Sequence, residues 1–158
     1  MIEMEKKFEI FREVAEVLNK KLGVVPVLYG SLGLSRLVKE TITVNDIDIL
    51  VPDEFVGEKW GELKNVIEEL DFELSDVSEH EFIRNGQKVA FAEYNNLADV
   101  NLTIGDLKQS EENGISFYEL NLEQYLAVYC YCLHDGYRQT KHADKEKIAL
   151  IERYIIGS

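Results

Sequence analysis

Between Glu5 and Leu22 the apolar residues Phe8, Ile10, Phe11, Val14, Val17 and Leu18 recur at three- and four-residue intervals. That period predicts an amphipathic helix with a charged outer face, ended by Gly23. Val24 to Tyr29, with Pro26 near its start, is β-branched and nearly all apolar, the composition of a strand covered on both faces. Gly30 breaks it. Ser31 to Lys39 is expected to form a short helix with Ser31 at or near its N-terminus, followed by a Thr-rich connection. A second strand is predicted from Asp46 to Val51, stopped by Pro52, and a second amphipathic helix from about Val56 to Leu70.

From Phe72 to Tyr94 the pattern shortens to alternating segments. Asn85-Gly86 stands between HEFIR and QKVAFAEY as a two-residue hairpin signal, so two antiparallel strands are expected there. Residues 95–114 mix polar turns with short apolar pieces and give no assignment. Ile115 to Tyr118 reads as a short strand. Asn121 is placed to cap a helix running through Leu133, with Glu123 as an early helical acid, and a final helix spans about Ala143 to Ile155. The expected class is α/β (α+β), one domain over residues 1–158, with a core at about 24–119 and a C-terminal helical pair at about 121–155.

The chain has 158 residues, 46% hydrophobic and 30% charged, a balance that favours a folded domain over a disordered one. No apolar run is long enough to span a bilayer, and MIEMEKKFEIF lacks the order of a signal peptide, so a cytoplasmic protein without membrane contact is expected. Cys130 and Cys132 lie two apart in an apparent helix and point to different faces, which favours buried free thiols over a disulfide. Neither they nor His80, His134 and His142 have zinc-type spacing. The net charge of −13, from 30 acidic and 17 basic residues, argues against long nucleic acid as a partner. A cationic small molecule, or a nucleotide delivered with its metal, suits that charge better. Tyr125, Tyr129 and Tyr131 are expected to pack in the core, with hydroxyls reaching its rim.

Candidate chemistry concentrates in VLYGSLGLSRLVKETITVNDIDILVP. On a regular strand Asp46 and Asp48 point to one face, with Cα atoms about 6.5–7 Å apart. Two such carboxylates repel each other, and a magnesium ion bound with substrate phosphates relieves the repulsion. Gly30 allows close approach of a ligand to the backbone, and Ser31 offers a hydroxyl where helix N–H groups face an anion. Each piece alone is also ordinary structure. A Gly-Ser pair is common turn chemistry, and the acids could simply end a strand.

Together, Gly30-Ser31, the helix and Asp46-Ile47-Asp48-Ile49 resemble the signature of the DNA polymerase beta superfamily of nucleotidyltransferases, especially its small members that adenylylate antibiotics or proteins. The resemblance is close over Val24 to Pro52. It implies a mixed sheet flanked by helices, a Gly-Ser turn on the triphosphate, and magnesium held by Asp46 and Asp48. It also implies a third acid on a later strand, where the equivalent position falls on or near Ala90; Glu93 and Asp99 are the substitutes. Arg36, Arg138 or Lys141 would add positive charge for phosphate, although Arg138 and Lys141 read equally well as surface residues at a helix end.

The implied activity is a magnesium-dependent transfer of a nucleoside monophosphate from a triphosphate, with ATP the expected donor, to a hydroxyl on a small molecule or protein. With no evident second substrate-binding domain, the acceptor must enter an open cleft or be supplied by a second subunit or partner protein. The gap at the third acid favours the alternative, a degraded nucleotidyltransferase-fold binding module acting through a partner.

Overall fold

A computed structural model of the chain describes residues 2–38, 42–44, 46–134 and 141–157. Its centre is a seven-stranded mixed sheet in the order β3-β4-β5-β2-β1-β7-β6. The strands are β1 (Val27–Tyr29), β2 (Ile47–Val51), β3 (Glu73–Asp76), β4 (Glu81–Arg84), β5 (Gln87–Glu93), β6 (Lys108–Glu112) and β7 (Ile115–Glu119). The helices are α1 (Ile2–Val17), α2 (Gly30–Ser35), α3 (Trp60–Glu68), α4 (Leu122–His134) and α5 (Lys141–Ile156).

Strand β1 is antiparallel to β2 and parallel to β7, and β2 is parallel to β5. The hairpins β4–β5 and β6–β7 turn at Asn85-Gly86 and Asn113-Gly114, all four residues having positive φ. Such turns match the twist of the flanking strands and require residues that tolerate left-handed backbone. The first helix loosens into a wider turn over Leu18–Leu22 and stops at Gly23, whose φ of 64° permits the left-handed cap. At α4, Asn121 Oδ1 accepts the Gln124 amide hydrogen at 2.8 Å while Gln124 Oε1 accepts that of Asn121 at 2.8 Å, a reciprocal N-terminal cap.

Alternation along the strands divides the core in two. Leu28, Ile47, Ile49, Val51, Val89 and Phe91 face α1 and α3, where Phe11, Val14, Leu63 and Ile67 complete one apolar cluster. Val27 and Leu50 face the opposite way, onto Tyr125, Val128, Leu150 and Ile151 of the C-terminal helical pair. Consecutive residues of one strand therefore serve different layers. The functional consequence lies at Asp48, which alternation puts on the side of the C-terminal pair.

Several expectations shift. Strand β1 begins at Val27 rather than Val24, and β2 begins at Ile47, leaving Asp46 in the bend ahead of it. The unassigned segment holds a tight helical stretch at Tyr94–Val100 and the edge strand β6. Tyr125 and Tyr129 are buried as expected, but Tyr131 is 45% exposed. Cys130 is a free thiol that is half-buried rather than fully enclosed. No helix among the described residues is long and apolar enough to cross a membrane.

Candidate active site

A cavity of about 370 Å³ lies between the sheet and the C-terminal helices. Tyr29, Gly30 and Ser31 form one wall at the exit of β1, and Asp48 to Leu50 and Ala90 to Ala92 form its floor. Val128 and Tyr129 from α4, Lys147 from α5, Asn96 and Glu79 enclose the rest.

Gly30 and Asp48 meet because β1 and β2 pair with Tyr29 opposite Asp48, one residue before the turn. Gly30 has φ +71°, a conformation costly for any residue with a Cβ. A Cβ there would also lie 2.5 Å from Asp48 Oδ2. Glycine is thus required twice at this point, by the turn and by the carboxylate lodged against it. Ser31 follows as the second residue of α2 and lines the same cavity.

The aspartates are not equivalent. Asp48 lies on the floor, whereas Asp46 is half-buried in the preceding bend and outside the cavity wall. The Asp48 carboxylate and the Ser31 hydroxyl are oxygen donors of the kind a hard divalent cation takes. Among the described residues no group of three or more His, Cys, Asp or Glu could hold a metal ion unaided. Magnesium characteristically uses one or two carboxylates and takes its remaining oxygens from phosphate and water.

The register locates the expected third acid. Ala90 pairs with Asp48 on the adjacent parallel strand, so its methyl group stands where a neighbouring carboxylate would converge on Asp48. Glu93 pairs with Val51 in an unbroken register and points to the α1–α3 side with Phe91, so no bulge re-aims it toward the cavity. Asp99 is exposed on the Tyr94–Val100 stretch, also away from the cavity wall.

Arg36 likewise does not line the cavity. Its Nη1 contacts Glu119 Oε1 at 2.5 Å and its Nη2 contacts Glu112 Oε2 at 2.8 Å, while the guanidinium lies 4.0 Å from the centre of the Phe8 ring. These contacts tie the end of α2 to the β6–β7 hairpin and α1. Arg138 lies outside the described residues, as does the side chain of Lys141. Among the described residues, the cationic side chain that lines the cavity is Lys147, whose Nζ sits 5.4 Å from the centre of the Tyr129 ring. Its only sequence signal is its place in the predicted last helix.

Tyr125 links the helical pair to this site. It is fully buried, and its hydroxyl donates to the Leu28 carbonyl at 3.3 Å. Burial above all, then Tyr129, Tyr29 and the charges on Glu119 and Asp48, pushes the phenol well above its usual range.

No protein-family model matches the chain. It is 36% identical over 155 residues to the uncharacterized protein YnaI of Bacillus subtilis (strain 168), covering 95% of this chain and 98% of YnaI. The crystal structure of ANT(2'')-Ia in complex with adenylyl-2''-tobramycin superposes with a TM-score of 0.57 at 18% identity, covering 96% of this chain and 90% of that one. The solution structure of ANT(2'')-Ia, an antibiotic-resistance factor, gives 0.54 at 18% identity over 90% and 81% of the two chains. The shared mixed sheet with flanking helices is a nucleotidyltransferase-like fold.

Proposed function

This chain belongs to the same family as YnaI of Bacillus subtilis, and we propose that it transfers a nucleoside monophosphate from a triphosphate, ATP being the expected donor, to a hydroxyl of a small molecule or protein. The observation that carries the reading is the close approach of the Asp48 carboxylate to Gly30 at a cavity that Ser31 and a lysine also line.

In this reading Gly30 and Ser31 receive the phosphates, and Lys147 supplies the positive charge that Arg36 spends elsewhere. Arg138 and Lys141 are assigned to the same task on the sequence alone. Asp48, joined by Asp46, would hold magnesium, which when bound neutralises phosphate charge during in-line displacement. Tyr29 and Tyr129 offer aromatic surface to the base. ANT(2'')-Ia, seen with adenylyl-2''-tobramycin, supports a small-molecule acceptor.

A second reading, a binding module of the same fold that holds nucleotide and acts through a partner, is favoured by one observation, the methyl group of Ala90 beside Asp48. Thermal unfolding with each nucleoside triphosphate, with and without magnesium, tests the part common to both. A ligand at 100 times its Kd stabilises by about 2.7 kcal/mol, which raises the midpoint of a chain this size by about 5–10 °C. Asp48→Asn should abolish the shift. No shift with any triphosphate overturns both readings; a shift without transfer of labelled nucleotide to any acceptor selects the second.

A further inference from the structure

Transfer to a hydroxyl requires a group that accepts the hydroxyl proton, and that group must come within about 2.6–3.2 Å of it, directly or through one water. Among the described residues two carboxylates line the cavity, Asp48 and Glu79. Asp48 is lodged against Gly30 and is assigned to the cation. Glu79 comes from a different place in the fold, the turn between β3 and β4.

That turn is fixed on both sides of Glu79. Asp76 Oδ1 accepts the Ser78 hydroxyl at 2.7 Å and the Glu79 amide at 3.2 Å. On the other side the His80 amide donates to Val77 O at 3.2 Å, and His80 O accepts the Phe91 amide at 3.1 Å. The His80 ring packs edge-on against Trp60, with centroids 4.7 Å apart. The β4–β5 contact thus reaches one residue past Glu81, to His80, where the chain turns with φ +51°, and Glu79 in that turn lines the cavity together with Ala92. Glu81 shares this face, directly beside Ala90, but lies outside the cavity wall. Its carboxylate is occupied by Lys88 at 3.8 Å and Ser75 at 3.1 Å.

We propose that Glu79 is the proton acceptor of the transfer reaction, supplied from the β3–β4 turn in place of an acid on β5. The inference rests on the transfer reading above. The acceptor oxygen forms a bond to the α-phosphorus of the nucleoside triphosphate. The bond from that phosphorus to the oxygen bridging the β-phosphate breaks, and pyrophosphate leaves with its electron pair. The hydroxyl proton passes to the Glu79 carboxylate and from there to water.

Pyrophosphate release from magnesium-ATP, with water alone and with glycerol as a surrogate hydroxyl, tests the assignment in wild type, Glu79→Gln and Glu81→Gln. The thermal shift produced by magnesium-ATP is measured for each. Glu79→Gln should slow release by about 10²–10⁴-fold and keep the wild-type shift, whereas Glu81→Gln should change neither. Release at the wild-type rate from Glu79→Gln overturns the assignment and leaves the transfer reading standing. Loss of its ATP shift overturns the assignment too, since Glu79 would then act in binding. A wild type that binds ATP and releases no pyrophosphate removes the transfer reading, and the role of Glu79 with it.

Discussion

The hydroxyl of Tyr125 occupies the space in which a side chain on Gly33 would begin, 1.9 Å from an ideal Cβ position. Tyr125 is 1% exposed, and the Leu28 carbonyl oxygen lies 3.2 Å from the same point, so neither neighbour has room to yield. Gly33→Ala should cost about 1–3 kcal/mol, the range for overpacking a well-filled site. Tyr125→Phe alone should cost about 0.5–1.5 kcal/mol for its hydrogen bond. Combined, the two should cost less than their sum, because removing the hydroxyl makes room for the methyl group. Denaturant unfolding of the four proteins checks this.

Stability should fall at high pH. Burial raises the Tyr125 phenol well above 10, so the folded state keeps a proton that the unfolded chain releases above that pH. The contribution is complete below pH 10 and is lost as pH rises beyond it, with a slope of about 1.4 kcal/mol per pH unit at most. Tyr94 is shifted in the same direction, by burial first and then Tyr118, and its hydroxyl donates to the Val25 carbonyl. Because Tyr94 is only half-buried, its share is smaller. Unfolding curves between pH 9 and about 11.5 should flatten in Tyr125→Phe relative to wild type.

Arg36→Ala should lower stability by about 1–3 kcal/mol, because Glu112 and Glu119 lose their shared partner and Phe8 loses its cover. Arg36→Lys should recover only part of this, since one ammonium does not reproduce a fork reaching two carboxylates. The stabilisation by magnesium-ATP should persist in Arg36→Lys. Its disappearance there would return Arg36 to the phosphate site.

Ala90→Asp places a carboxylate beside Asp48 in the register of β2 and β5. Without a divalent cation the like charges should lower the melting temperature. Magnesium should then raise it by more than in wild type, because the ion binds the native state preferentially. Equal magnesium responses in the two proteins would show that Asp48 does not face a cation site.

The features legible in the sequence are those with short-range causes. Asn85-Gly86 fixed the β4–β5 hairpin because left-handed backbone restricts the residue types at the turn. Gly30-Ser31 was visible because a glycine ends an apolar run. The edge strand β6, KQSEE, carries no apolar alternation, so periodicity had nothing to detect. The partners of Arg36 lie 76 and 83 residues away, and charge alone did not distinguish a structural arginine from a phosphate ligand. Lys147 and Glu79 reach the cavity only through the packing of α5 and the turn after β3. The side of the sheet on which Glu93 falls follows from strand register, and Glu93 is thereby excluded from the cavity.

The borders of the sheet, β3 and β6, carry ELSD and KQSEE, and most of those side chains are exposed. An open border offers unpaired amides and carbonyls to any extended chain that drifts past. Here the acidic side chains Glu73 and Asp76 on one border and Glu111 on the other would oppose those of a second copy approaching border to border. Part of the charge of −13 thus lies along the two borders, where like charges discourage one sheet from extending another.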